Sequence, residues 1–551
     1  MSTGTITPYR SGQRPGRDDF PHLLRAEWTK FRTVRGWVIA MVAAALLTAL
    51  AVVALAGFSS GSQNAGAHPR VAIGPGGEAV TDDFYFVRQS LDGNGSITAR
   101  VASLDTVLPM PAGAPPHIAV PWAKAGIIIT ASTKPGSAYA AVLATPGHGV
   151  RMQYDYTHDL AGLPGPVSAA SPRWLRLTRS GDIITGYDSA DGKHWTEIGT
   201  ARLAGLPSTV RAGLFVASPR LLVPNNSLTC RGASCSVGTP SQSFARNSAD
   251  TPVNTEATAA FDHVSLRGQR KANGAGEVGT AWRGGQIGFP TGIPFICAPG
   301  RSCPGPPAGG FKTSGGTFTV AGSGDIAPYV TGVDPLGAIL KGSLAGLLAV
   351  IALGALFMTA EYRRGLIRTT FAASPRRGRV LAAKAIVIGL VTFAAGLAGA
   401  AVALPVAEDK LRSGGWASSV YPAWSLTSAP GLQIVVGTAG LLAVAAILAL
   451  SAGAVLRRSA GAIAAVVVLL IVPLILGFIL PQGPADWLLR LTPAAAFGLQ
   501  QGTPHYSQVT SVCEPINGCF PLPPWEGFAV LCGWAAVALG IAVFLLRRRD
   551  A

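Results

Sequence analysis

The chain has 551 residues, 49% of them hydrophobic, and carries a formal net charge of +17 at pH 7. A pI near 10.0 would suit a nucleic-acid partner, but the basic residues gather around long apolar stretches, which excludes that reading. Six such stretches occupy 37–58, 336–359, 380–404, 431–456, 459–480 and 527–546. Each is close to the ~20 residues that a helix needs to cross ~30 Å of hydrocarbon. Inside hydrocarbon every backbone group has to be paired within its own segment, so each stretch is expected to be a helix. The pattern predicts an α-helical polytopic membrane protein with six transmembrane helices and a large all-β domain, a β-sandwich, inserted between the first helix and the second.

Along the chain, residues 1–18 combine Gly, Pro, Ser and Arg without an apolar period and read as a disordered tail. From 19 to 35, Phe20, Leu23, Leu24, Trp28 and Phe31 recur at helical spacing, interleaved with Arg25, Lys30, Arg32 and Arg35. This predicts an amphipathic helix on the membrane surface, with Arg25, Glu27, Trp28, Lys30 and Phe31 as its characteristic residues. The first span is then 36–58. Ala54-Leu55-Ala56 has the small residues of a cleavage site, but the region before the stretch is long for a signal peptide, so an uncleaved span is expected.

Residues 59–335 have a different texture: short alternating runs separated by Gly, Pro, Asn and Asp, the pattern of an antiparallel sandwich. In Arg173–Arg179, Trp174, Arg176 and Thr178 fall on one face and Leu175 and Leu177 on the other. Asp191-Gly192 supplies a hairpin turn after which Trp195 returns to cover the sheet. Trp122, Trp174 and Trp195 are the possible ligand contacts of the domain, with core packing as the competing role.

The membrane-proximal charges fix an orientation. Segment 360–379 carries Arg363, Arg364, Arg368, Arg376, Arg377 and Arg379 against Glu361 alone. Arg457 and Arg458 separate the fourth and fifth spans, and Arg547, Arg548 and Arg549 sit in the tail 547–551. Loops 405–430 and 481–526 are acidic on balance. The positive-inside rule therefore places both termini in the cytoplasm and the 59–335 domain outside the plasma membrane. Within 360–379, Leu366, Ile367, Thr370 and Phe371 form one face of a short helix, and Ser374-Pro375 suits the start of the next. Lys341 and Lys384 lie near span ends, where each is expected to snorkel to the interface.

Cys230 and Cys235, Cys297 and Cys303, and Cys513 and Cys519 all fall in segments placed outside; Cys532 lies in the last span. Close pairs confined to an oxidising side suggest disulfides, although four cysteines in the insert leave three connectivities open. None of these pairs has C-x2-C spacing, so no metal site is expected. The chain lacks G-x-x-x-x-G-K-[ST] and H-E-x-x-H, a nucleophile elbow and an acidic residue at the centre of any span. It is expected neither to hydrolyse ATP nor to act as an enzyme, and the energy for any transport must come from another subunit.

Two segments resemble the permeases of ABC-2-type transporters of actinobacteria. These are Leu24-Arg25-Ala26-Glu27-Trp28-Thr29-Lys30-Phe31 before the first span and Glu361-Tyr362-Arg363-Arg364-Gly365 with Arg376-Arg377-Gly378-Arg379 before the third. The resemblance implies a permease dimer, homo- or heteromeric, with ATP and Mg held by a separate ATP-binding subunit. It further implies that Glu361, Tyr362, Arg363, Arg364, Gly365, Leu366, Ile367, Arg368 and Phe371 form the segment coupling to that subunit, and that 19–35 is the connecting helix. The insert is similar to concanavalin-like (laminin-G-like) sandwiches, through Trp174–Arg179 and Tyr187–Gly192. A membrane-anchored protein that binds carbohydrate or another ligand outside the cell is the alternative, and a hydrolase with its site in the sandwich is a third reading.

Overall fold

The computed structural model describes residues 20–59, 71–109, 117–223, 228–231, 234–237, 251–269, 281–288, 309–331, 333–373, 376–413, 421, 423–477, 479–480, 482–504, 506–509 and 518–548. The expected tail 1–18, Cys297, Cys303 and Cys513 lie outside these residues. In chain order α1 (Phe20–Thr33) and α2 (Arg35–Ser59) come first, followed by the β-strands. Then come α3 (Pro335–Leu340), α4 (Ser343–Arg363), α5 (Leu366–Ala373), α6 (Arg377–Ser413), α7 (Ala429–Leu456), α8 (Ser459–Gly477), α9 (Gln482–Leu491) and α10 (Pro524–Arg548). Among the described residues, α2, α4, α6, α7, α8 and α10 are the helices long and apolar enough to cross a membrane.

Small residues let these helices pack closely. The hub is α7, whose most apolar stretch is 78% buried; it contacts α4, α6, α8 and α10. Gly354 of α4 lies against the backbone of Ala446, where a Cβ would overlap it. The second apolar run is not one helix. It breaks at Lys341-Gly342, between α3 and α4, where Gly342 meets the backbone of Ala51 and Val52 too closely to admit a Cβ. The third helix is longer than its apolar run and continues through Pro405 to Ser413. Segment 481–526 is also more than a loop. It holds α9 and a 3-10 helix, Pro493–Gln500, whose residues are all buried against α7, α8 and α10.

The strands between α2 and α3 form a large, nearly closed antiparallel domain around a 13-stranded sheet. Its axis is the strand Phe84–Val107, which pairs with Arg173–Ser180, Thr209–Ala217, Glu256–Gln269 and Arg283–Ile287. Alternation works as the sequence predicts. Ile97, Ala99, Val101, Leu175 and Leu177 are buried inside, while Trp174, Arg176 and Thr178 face the half-exposed side. The hairpin Ile183–Ser189 to Thr196–Arg202 forms around Asp191-Gly192, with Gly192 at φ +74°.

Strands Lys124–Thr130 and Tyr139–Thr145 are buried along their whole length. Their second face is covered by a small stem sheet of Ala72–Ile73, Ala79–Asp82 and Ile326–Pro328. A second core forms there from Val80, Phe84, Phe86, Ile128, Tyr139, Tyr156, Phe215 and Ile326. The stem joins the strands by which the chain enters and leaves the domain. Cys230 stands opposite Cys235 in the short hairpin Leu228–Arg231 to Ser234–Val237. Cys519 is disulfide-bonded, and Cys532 is a free thiol.

Candidate functional site

At the end of the bundle away from the β-domain, α1, α4 and α6 meet around a buried ammonium. Lys384 of α6 is 1% exposed. Its Nζ lies 2.7 Å from Oε2 of Glu27 on α1 and 2.6 Å from Oε1 of Glu361 near the end of α4. The ring of Phe357 covers it at 4.9 Å. Lys30 closes the circuit from the rim, 2.9 Å from Glu27 and 3.3 Å from Glu361. Two carboxylates and two ammonium groups leave the knot neutral. Neutrality and close pairing offset a desolvation cost of several kcal/mol per buried ion. Phe31 and Trp37 pack edge-on against Phe357, at 6.2 and 5.6 Å, and keep water from the pairs.

The expected snorkelling of Lys384 is therefore wrong. The side chain turns inward because two carboxylates wait there, one of them 357 residues earlier in the chain. The surface helix also sits differently from a simple amphipathic reading. Its buried positions are Glu27 and Phe31, while Trp28 is 46% exposed and Arg25 is exposed. Leu23, Glu27 and Phe31 share one stripe at i, i+4 and i+8. That spacing was the available signal for a buried acid, and hydropathy alone passes over it.

The segment singled out for coupling divides in two. Glu361 belongs to the knot. Tyr362 takes the Arg457 guanidinium over its ring at 5.2 Å, which ties α4 to the end of α7. Arg363, Arg364, Gly365 and Leu366 are exposed, and Leu366 is 48% accessible despite being apolar. Gly365, at φ +68°, makes the sharp turn from α4 to α5 in a conformation that side chains resist. Ile367 is buried in the core of the bundle and pins the start of α5. The backbone of Arg368 and Phe371 lies in α5; their side chains are outside the described residues. Nearby, Arg377 donates to the carbonyl of Leu546 at 2.8 Å, joining α6 to the end of α10. An exposed Arg-Arg-Gly-Leu tip is thus backed by buried links to α1, α6 and α7.

A family model described as an ABC-2 family transporter protein matches residues 207–551. The chain belongs to the ABC-2 transporter family. No curated protein matches it. Among solved structures, scytalido-glutamic peptidase with a transition-state analogue inhibitor aligns at 9% identity and a TM-score of 0.21, over 44% of this chain and 98% of that one. SCP-B, a member of the eqolisin peptidases in complex with the tripeptide Ala-Ile-His, aligns at 8% identity and 0.21, over the same shares. At such TM-scores these likenesses carry no argument, and nothing among the comparisons supports a concanavalin-like assignment.

The three tryptophans of this ABC-2 protein's β-domain do not form one site. Trp174 and Trp195 come together around Gly192: Trp195 Nε1 donates to its carbonyl at 3.2 Å, and the Trp174 ring fills the space where its Cβ would be. Each carries an arginine, Arg176 over Trp195 at 3.8 Å and Arg100 over Trp174 at 5.7 Å. Trp122 is elsewhere, 7% exposed and stacked on His148 at 3.8 Å. No group of three or more His, Cys, Asp or Glu residues that could hold a metal ion occurs among the described residues.

Proposed function

We propose that the chain is the membrane-spanning permease subunit of an ABC exporter, which moves its substrate across the plasma membrane with ATP hydrolysed by a separate ATP-binding subunit. The observation that carries this reading is the exposed Arg363-Arg364-Gly365-Leu366 tip standing directly on a buried charge knot. A subunit pressing on the tip acts on Glu361. Through Lys384 and Glu27, Glu361 moves α6 and α1 as well as α4, so one contact addresses three helices. In this orientation both termini and the tip are cytoplasmic, and the β-domain is extracellular. The cluster of Arg363, Arg364, Arg376, Arg377, Arg457, Arg547 and Arg548 at one end of the helices supports it. The permease works as a homo- or heterodimer. The test is recovery of the tagged chain from its native membrane in mild detergent. An ATP-binding subunit should copurify in stoichiometric amount and confer ATPase activity; reproducible absence of such a subunit from intact dimeric protein overturns the reading.

An extracellular β-domain meets an oxidising compartment. Residues paired across an antiparallel ladder have Cα atoms roughly 4.5–5.5 Å apart, inside the range a disulfide spans. Cys230 and Cys235 are such a pair, and Cys519 is already bonded, which we assign to Cys513. Together with Cys297–Cys303, these bonds leave Cys532 alone. Alkylation of the denatured, unreduced protein should label Cys532 only, as read by peptide mass mapping. Label on Cys230 or Cys235 would show that hairpin to be reduced and would argue against an extracellular domain.

A further inference from the structure

The β-domain does more than hang on its two linkers. At the tip of the hairpin Gly149–Tyr154 to His158–Ala161, Asp155 and Tyr156 both have positive φ, 43° and 60°. Turns of this kind favour Asn and Gly. Non-glycine residues in the left-handed region carry strain and persist where their surroundings impose them. Two surroundings do so here. Inside, the Tyr156 hydroxyl donates to Oδ2 of Asp82 at 2.8 Å and to the carbonyl of Ser137 at 3.2 Å. Asp82 is the last residue of a stem strand, and its Oδ2 also accepts from the backbone of Gly136 at 2.8 Å. Outside, the carbonyls of Tyr156 and Thr157 accept from Nε2 of Gln508, at 3.5 and 3.3 Å. Gln508 is 4% exposed, although it lies in the segment that links the buried 3-10 helix to α10.

A few residues before Gln508, the same segment is held by the helices. Gln500 donates to Ser343 of α4 at 2.8 Å and to Thr438 of α7 at 3.3 Å. The Gly502 amide donates to the carboxylate of Asp334 at 3.1 Å. Asp334 caps α3 through the Gly337 amide and accepts from the Tyr421 hydroxyl at 2.7 Å. One stretch of chain is therefore gripped at Gln500 and Gly502 by the helical bundle and at Gln508 by the β-domain.

We propose that the Asp155-Tyr156 turn is the fastening point through which Gln508 clamps the β-domain to the outer end of the bundle, so that movement of the 3-10 helix is carried into the stem of the domain. This coupling lies beyond the exporter reading and holds whichever subunit drives the bundle.

The clamp responds to acidity. Burial pushes the carboxyls of Asp82 and Asp83 up to about 6 each. The charged and titratable groups around them are Asp325, Lys124, Arg220, Tyr139, Tyr156 and Asp155. Lys124 is fully buried and bound to Asp325 at 2.6 Å, so it neutralises that acid rather than Asp82. A carboxyl whose value is raised on folding holds its proton more tightly in the folded state than in the unfolded one. Its stabilising contribution is complete below the ordinary value of 3.8 and is lost as pH rises through about 6. The stem and turn are thus firmest in mild acid.

The experiment is hydrogen–deuterium exchange on the full-length protein in lipid nanodiscs, corrected for intrinsic rates, at pH 5 and pH 7.5. Gln508→Ala should accelerate exchange in the turn around 154–158 as well as in its own segment, by roughly three- to tenfold, the scale of one or two hydrogen bonds. Strand Lys124–Thr130 serves as the folding control. Tyr156→Phe should accelerate the turn and the stem strand Ala79–Asp82. Wild type should exchange more slowly in the stem at pH 5 than at pH 7.5; Asp82→Asn should reduce that difference, and Asp82→Asn with Asp83→Asn should erase it. Acceleration confined to the Gln508 segment overturns the clamp. A pH difference that survives Asp82→Asn with Asp83→Asn overturns its acid dependence. Should Gln508→Ala unfold the control strand, Gln508→Glu removes the donor at constant size and decides the same question.

Discussion

Lys384→Met is expected to destabilise the bundle by about 3–5 kcal/mol, the cost of leaving a buried charge without its partner. Methionine fills the volume and suits the apolar surroundings of Phe357, so packing loss contributes little. The damage comes from Glu27 and Glu361, which then face each other with only Lys30, half in solvent, to neutralise them. Glu27→Gln is expected to cost less, because Lys384 keeps Glu361 at 2.6 Å. Pairing Lys384→Met with both Glu27→Gln and Glu361→Gln should recover much of the loss, since no charge remains buried. Thermal unfolding of the detergent-solubilised protein orders the variants. If Lys384→Met unfolds at the wild-type temperature, the knot is not what joins α1, α4 and α6.

Arg363→Glu with Arg364→Glu is expected to abolish recovery of the ATP-binding subunit while leaving the unfolding midpoint unchanged. Both side chains are exposed, and charge changes at such positions shift stability little. Reversing two charges on a docking tip is different, because like-charge juxtaposition across an interface costs several kcal/mol, a loss of roughly a hundredfold or more in affinity. Leu366→Ser should act in the same direction with a smaller effect, by removing the exposed apolar contact. A double variant that recruits the subunit at wild-type stoichiometry would place docking elsewhere. A variant that loses both stability and recruitment would show the tip to be part of the bundle's own packing.

The six long apolar helices were legible because each comes from an almost unbroken apolar run, and hydrocarbon allows such a run few other fates. The alternation in Arg173–Ser180 was legible for a similar reason: one face of a sheet must be buried and its period is two residues. The knot was not. Lys384 read as a charge near a span end, and its partners, Glu27 and Glu361, sit in segments that look basic and exposed. Sequence distance hides a pair whose members meet only when α1 packs on α6. The buried 3-10 helix was missed because Pro493 and the short apolar run after it are too brief for a span and lack a helical period of their own. Its burial is supplied by α7, α8 and α10, which no local pattern records. Gln508 and the strained Asp155-Tyr156 turn were invisible for the same reason, being polar groups fixed by tertiary partners.

The stem sheet has a consequence for how the chain is put together. Because Ala79–Asp82 lies alongside Ile326–Pro328 and α2 contacts α3 directly, the two ends of the insert come back together in space despite its length. The entropy of closing a long loop grows only with the logarithm of its length, and here the domain's own folding does the closing. Once Ala79–Asp82 and Ile326–Pro328 have paired, α2 is expected to approach α4 and α6 as though joined to them by a short connection. Replacing everything between the two stem strands with a tight turn is therefore expected to leave α2 seated against Gly342, where its Ala51 and Val52 lie.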